Sequence, residues 1–147
     1  MVFTIGMSFG TISGILTSLG LILSNLGANV TKKYIILILV SLALSDGLSD
    51  AMGIYYGSFA DDHDLSKAYN EAIKTWLGKS ILPLTMAFIF YLSSNIKIAG
   101  IINIFLAFLF YLYVNINVFN NMRTIIINIF IFILIIIINY LLGKKLK

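Results

Sequence analysis

Residues 124–142 read TIIINIFIFILIIIINYLL, a run of 19 residues without a single charged side chain. A helix needs about 20 mostly apolar residues to cross the hydrocarbon core of a bilayer, so this run predicts a transmembrane helix. The whole chain has a similar character, because 60% of its 147 residues are hydrophobic and only 11% are charged. Soluble domains average about 45–50% apolar residues and about 25% charged residues. The sequence therefore predicts an integral membrane protein.

Four further apolar stretches precede this run, and together they predict an all-α membrane bundle that forms one domain. The five spans are expected at residues 2–28, 34–57, 76–92, 98–114 and 124–142. A short acidic and amphipathic link is expected at residues 58–75. The chain shows neither the sustained alternation that is typical of strands nor an internal repeat.

The composition excludes several classes of site. The chain has no cysteine and one histidine, His63, which excludes disulfide scaffolds, thiolate zinc sites, iron–sulfur clusters and a multi-histidine metal site within one chain. The net charge is +4, but the basic residues are spread over loops and ends. That distribution favours lipid headgroups over nucleic acid as the partner.

The distribution of basic residues also bears on orientation. The side that holds the C-terminus collects six lysines, and the other side collects fewer basic residues, so the positive-inside rule predicts a cytoplasmic C-terminus. The first group is Lys32, Lys33, Lys97, Lys144, Lys145 and Lys147, and the second is Lys67, Lys74, Arg123 and, if it reaches the surface, Lys79.

Two acidic residues in the second span carry the functional prediction. Asp46 and Asp50 are one helical turn apart and share a face. Counted from Lys33, they lie roughly 20 and 25 Å into the membrane. An ionised side chain at that depth costs at least about 2.5–3.5 kcal/mol. No basic side chain is expected beside them, because Lys79 and Lys97 are predicted near the ends of spans. The pair therefore predicts a transported cation that competes with protons for the same oxygens.

Oxygen ligands indicate which cation such a site would take. Carboxylate and hydroxyl oxygens suit divalent ions such as Mn²⁺, Fe²⁺, Mg²⁺ or Ca²⁺. The predicted ligands are Asp46, Asp50, Ser13, Thr17 and Ser49. The metal and the proton are expected as substrates, with no permanently bound cofactor.

A second acidic group follows the second span, at Asp61, Asp62, His63 and Asp64. It has two interpretations. It is either a solvated loop or a mouth cluster whose negative charge raises the local concentration of cations.

Other functions stay open. The Asp pair can be protonated and hydrogen-bonded to a neighbouring helix. It can also dock a basic helix of a partner in a non-transporting assembly or scaffold subunit. An intramembrane aspartyl protease needs carboxylates from two facing helices. Both acids here lie on one helix, so the sequence predicts no enzyme unless a dimer supplies the second carboxylate.

The first span carries small residues at every fourth position, at Gly6, Gly10, Gly14 and Ser18. Such a stripe allows another backbone to approach closely.

Three short motifs resemble the vacuolar iron transporter family, whose members move Fe²⁺ or Mn²⁺ across membranes. The first is SGILTS at residues 13–18 and the second is SDAMGIY at 49–55. The third belongs to the last helix and consists of MRT at 122–124 followed by NYLLG at 139–143. Ser13 stands where the family has an aspartate, Asp50 where it has a methionine and Ile54 where it has a glutamate, so the acidic groups are relocated to Asp46 and Asp50. The family's cytoplasmic metal-binding insert is reduced to the short link.

The resemblance implies a five-helix homodimer with its ion path between the subunits, in a cell membrane or a vacuole-like organelle. It also implies a cytoplasmic N-terminus, opposite to the orientation that the lysine distribution predicts. In such a dimer, the stripe of small residues in the first span would permit the close approach of the two copies.

Overall fold

The computed structural model describes residues 4–119 and 121–145, and these form six α-helices. The start of the predicted first span and Lys147 lie outside the described residues. The helices are α1 Ile5–Gly27, α2 Lys32–Ser41, α3 Gly47–Asp62, α4 Leu65–Leu92, α5 Ile96–Val118 and α6 Met122–Lys145. A π-helical turn, Leu42–Asp46, joins α2 to α3 without a break.

The described residues thus contain five helical segments that are long and apolar enough to cross a membrane, with α2 and α3 counted as one. They contain no strand. The predicted all-α bundle is confirmed, and the chain is a multi-pass membrane protein.

The helix ends differ most from the prediction around the expected link at 58–75. α3 continues to Asp62 and α4 begins at Leu65, so only two residues separate the helices. His63 ends α3 in a left-handed conformation, with φ of 52°. The Asp64 carboxylate caps α4, because its Oδ1 accepts the backbone N–H groups of Ser66 and Lys67 at 2.9 and 3.1 Å. Polar composition marked this segment as a link, but polar side chains on an exposed face are compatible with an uninterrupted helix.

The helix α1 lies against α4 along much of its length, and glycines make this possible. A Cβ atom at Gly10 would overlap the backbone carbonyl of Thr75, and one at Gly14 would lie 2.7 Å from the carbonyl oxygen of Lys79. From the other side, a Cβ at Gly78 would lie 2.9 Å from Thr11 Oγ1. The predicted close approach is therefore confirmed, and the backbone that approaches α1 is α4 of the same chain. The stripe is consequently not free to pack against a second subunit.

The apolar core lies between α1 and its neighbours, with Ile15, Leu19 and Ile22 of α1 fully buried. The outer wall is largely α6, on which only Ile125, Phe132 and Gly143 are buried among the described residues. An apolar helix with so much exposed surface faces lipid in a membrane protein.

Candidate functional site

The two aspartates of the second span lie at a local change of helix geometry. Asp46 is the last residue of the π-helical turn, and Asp50 follows one turn later in α3. A π-helical turn holds an extra residue and shifts the side chains that follow it around the axis; such turns often occur at functional sites. The side chains of Asp46 and Asp50 are 42% and 22% exposed, respectively.

Lys79 of α4 lies between these two carboxylates. Its side chain is only 2% exposed, and its Nζ is 2.5 Å from Asp46 Oδ2 and 2.5 Å from Asp50 Oδ2. The same Nζ donates to Ser13 Oγ at 2.9 Å, and the Ser13 hydroxyl donates to Asp50 Oδ2 at 3.0 Å. We call these four residues the Lys79 cluster. It joins α1, α4 and the second span at one point inside the bundle.

The expectation that no basic side chain lies beside the Asp pair is therefore wrong. The third span was predicted to begin at Trp76, which put Lys79 near its end. In the structure α4 starts at Leu65, so Lys79 has 14 residues of helix before it and 13 after it. The available signal was a lysine within a mainly apolar stretch, flanked by the small residues Gly78 and Ser80.

The cluster has an unbalanced charge. When all its groups are ionised, two carboxylates face one ammonium, which leaves one negative charge. A charge inside a membrane protein needs a partner to offset its desolvation. The ammonium supplies that partner for one carboxylate, and a proton or a second cation would balance the other.

The remaining predicted ligands are placed differently. Thr17 lies one turn beyond Ser13 on α1, and its hydroxyl donates to the Ser13 carbonyl oxygen at 2.6 Å. Ser49 is exposed, on the outer side of α3. Ser13 is thus in contact with the Asp pair, Thr17 supports it from the next turn, and Ser49 points away.

Two cavities approach the Lys79 cluster from opposite ends of the second span. The first is a groove of about 870 Å³ that extends along α2 to Asp46. Its polar lining consists of Thr17, Ser24, Tyr34, Ser41, Ser45, Asp46 and Asn139. The second has a volume of about 480 Å³ and is lined by Gly53 and Gly57 of α3 together with Asp61, Asp62, Lys67 and Glu71. Along the second span, Asp50 lies between the two cavities.

The predicted mouth cluster has mainly structural contacts. Asp62 forms a 2.7 Å ion pair with Lys67, while His63 and Asp64 end one helix and begin the next. Asp61 is exposed and lines the second cavity. Across the described residues, no group of three or more histidine, cysteine, aspartate or glutamate side chains is arranged to hold a metal ion.

Glu71 is a buried acid with no signal in the sequence that distinguishes it from the exposed charges of the link. Its Oε2 accepts the backbone N–H of Gly6 at 2.6 Å, in the first turn of α1. A carboxylate at this position satisfies a free N–H group of the helix and favours its dipole. Glu71 therefore anchors the start of α1 beside the second cavity.

No family model matches the chain, and no curated protein or solved structure is significantly similar to it. The resemblance to the vacuolar iron transporters thus remains a prediction that depends on three short motifs.

Proposed function

We propose that the protein is a proton-coupled cation transporter. The transported cation binds between Asp46 and Asp50, at the position that the Lys79 ammonium otherwise occupies. The observation that carries this proposal is the Lys79 ammonium, buried between Asp46 and Asp50 of the second span. The substrate is a divalent metal of the Fe²⁺ or Mn²⁺ type, as the oxygen ligands and the motifs of the sequence predict.

Charge balance in the Lys79 cluster determines how many protons are exchanged for each cation. The cluster is neutral when it holds one proton besides the Lys79 ammonium. It is also neutral when a divalent cation binds both carboxylates and Lys79 has lost its proton. Exchange between these two states moves about two protons for each divalent cation, because one carboxyl group and the Lys79 ammonium each lose one proton. A monovalent cation would balance the charge beside a protonated Lys79 and release about one proton.

The two cavities supply a route. The groove along α2 reaches Asp46, and the cavity at the other end comes within one helical turn of Asp50. Alternating exposure of the carboxylates to one cavity and then the other would carry the cation past Lys79. Asp61, Asp62 and Glu71 line the second cavity, and their negative charge favours entry of cations.

The homodimer stays part of the proposal, on a different face from the one expected. Small residues recur at every fourth position on the outer face of the second span, and a Cβ at Gly53 or Gly57 would meet nothing within 4 Å. These exposed residues are Ser41, Ser45, Ser49, Gly53 and Gly57. Ser41 and Ser45 line the first cavity and Gly53 and Gly57 line the second, so a second copy packed here would form the other wall of the ion route. It would also cover the serine hydroxyl groups, which are costly to leave in lipid.

The assembly-subunit alternative predicts a partner protein whose basic helix neutralises the Asp pair. In the described residues, α4 of the same chain supplies that basic side chain. The competing interpretation then becomes a static ion-pair lock that only holds three helices together.

Flux measurements in proteoliposomes test the proposal. Purified protein is reconstituted, and uptake of Fe²⁺, Mn²⁺, Ca²⁺ and Mg²⁺ is measured at two pH values. We expect saturable uptake of at least one divalent ion and its loss in Asp50→Asn. The matched control is Asp61→Asn, an exposed acid at the mouth, which should retain most of the uptake. Equal uptake by wild type and Asp50→Asn would contradict the proposal.

A further inference from the structure

A groove runs between α5 and α6, and none of the residues of the Lys79 cluster lines it. It consists of a cavity of about 580 Å³ and a second of about 450 Å³. The two cavities adjoin, because Ile101 and Ile104 line both of them. Leu23 and Leu26 of α1 form part of the lining of the first cavity.

The polarity of the groove changes along its length. Its mouth holds Lys97, with Asn29 and Tyr140 nearby. Its far end is lined by aliphatic and aromatic side chains, among them Phe108 and Phe132. Lys97 and Phe108 are eleven residues apart on α5, which corresponds to about 17 Å. That length is about half of a 30 Å hydrocarbon core, so the groove has the depth of one leaflet.

The mouth is electropositive. Lys97 is the charged residue of its lining, and Lys32, Lys33, Lys144 and Lys145 lie at the same end of the bundle. Lys32 reaches Ser93, just before α5, through a 2.9 Å hydrogen bond. The acidic residues of the chain are Asp46, Asp50, Asp61, Asp62, Asp64 and Glu71, and none of them lines the groove.

The two helices are joined to each other at their opposite ends. Asn128 Nδ2 of α6 donates to Asn115 Oδ1 of α5 at 2.6 Å, and Tyr111 Oη donates to the Asn128 carbonyl oxygen at 3.1 Å. The rings of Tyr111 and Phe132 stack with 4.7 Å between their centroids. The groove thus extends from this junction toward the basic end of the bundle.

We infer that this groove binds an anionic phospholipid, with its headgroup at Lys97 and one acyl chain between α5 and α6. A cation at the mouth, aliphatic walls and a depth of one leaflet match the order of groups in such a lipid. The site is separate from the Lys79 cluster and does not depend on the proposed transport.

Lipid-dependent stability and native mass spectrometry test the inference. The protein is titrated with phosphatidylglycerol or phosphatidylcholine in detergent, and lipid adducts and melting temperature are followed. We expect phosphatidylglycerol to bind more tightly, and Lys97→Ala to weaken that binding about fivefold, the factor for one lysine near an anionic surface. The matched control is Lys33→Ala, an exposed lysine at the same end that does not line the groove.

A second variant tests the acyl-chain part of the groove. Ile104→Trp fills the shared section, and we expect it to reduce phosphatidylglycerol adducts while Lys97 is intact. Glycerol phosphate, which has the headgroup chemistry without a chain, should not replace the lipid. Equal losses in Lys33→Ala and Lys97→Ala, or full binding by Ile104→Trp, would overturn the inference, because either result would indicate diffuse attraction to a basic surface.

Discussion

Gly10 and Gly53 both lie on membrane-spanning helices, but their surroundings differ. A Cβ at Gly10 would overlap the Thr75 carbonyl, whereas one at Gly53 would meet nothing within 4 Å. We expect Gly10→Ala to lower the free energy of unfolding by about 1–3 kcal/mol, the usual cost of overpacking. Gly53→Ala should leave the stability of the monomer in detergent unchanged or slightly higher. Melting temperatures of the two variants test this contrast, and equal destabilisation would contradict it.

Asp64 has a structural role, because it caps the start of α4. Its carboxylate accepts two N–H groups at the start of α4, so Asp64→Ala should cost about 1 kcal/mol. Asp61→Ala removes a neighbouring acid of similar exposure that caps no helix, and it should cost much less. Thermal melting in detergent distinguishes them. A larger loss in Asp61→Ala would show that the cap is unimportant.

At the scale of elements, apolar length predicted five spans correctly, because about 20 apolar residues are what a bilayer requires. The same criterion predicted too short an α4, because the apolar run begins at Trp76 whereas the helix begins at Leu65. Backbone hydrogen bonds hold a helix together beyond the apolar run, and Asp64 rather than Trp76 determines where α4 starts. The π-helical turn at Leu42–Asp46 has no signal in the hydrophobic pattern.

The pair α5 and α6 depends on one polar contact that can be tested. Asn128 Nδ2 donates to Asn115 Oδ1 at 2.6 Å, and Asn128→Leu would leave Asn115 Oδ1 without this partner. We expect a loss of about 0.6 kcal/mol, with an upper limit of about 1.7, as for other hydrogen bonds between membrane helices.

Asn117→Leu is the control for this change, because the Asn117 amide bonds within α5 to the Tyr113 carbonyl oxygen. Denaturation in mixed micelles measures both variants. A cost in Asn117→Leu equal to that in Asn128→Leu would contradict the role assigned to the contact between helices.

At the scale of the whole molecule, three helices meet at Lys79. The sequence indicated Asp46, Asp50 and Ser13 as one site, because acids at membrane depth need a neutralising group and Ser13 lies on a neighbouring span. It could not indicate which group neutralises them. That depends on the register of α4 against α1, which the glycine contacts at Gly10, Gly14 and Gly78 fix in three dimensions.

Lys79→Arg separates a transport site from a static lock. Arginine stays protonated under all conditions that proteins tolerate and can still pair with both carboxylates. The variant should therefore still fold, with a melting temperature lowered by the larger side chain at this buried position. It should fail to exchange a divalent cation for protons, because its charge cannot be withdrawn.

The most direct test counts protons. Proteoliposomes with an internal pH-sensitive dye are given a gradient of Mn²⁺, or of the divalent ion that the flux panel selects, and proton and metal fluxes are recorded together. We expect about two protons per divalent ion for wild type and no coupled proton flux for Lys79→Arg. Proton-coupled exchange by Lys79→Arg at the wild-type ratio would contradict it.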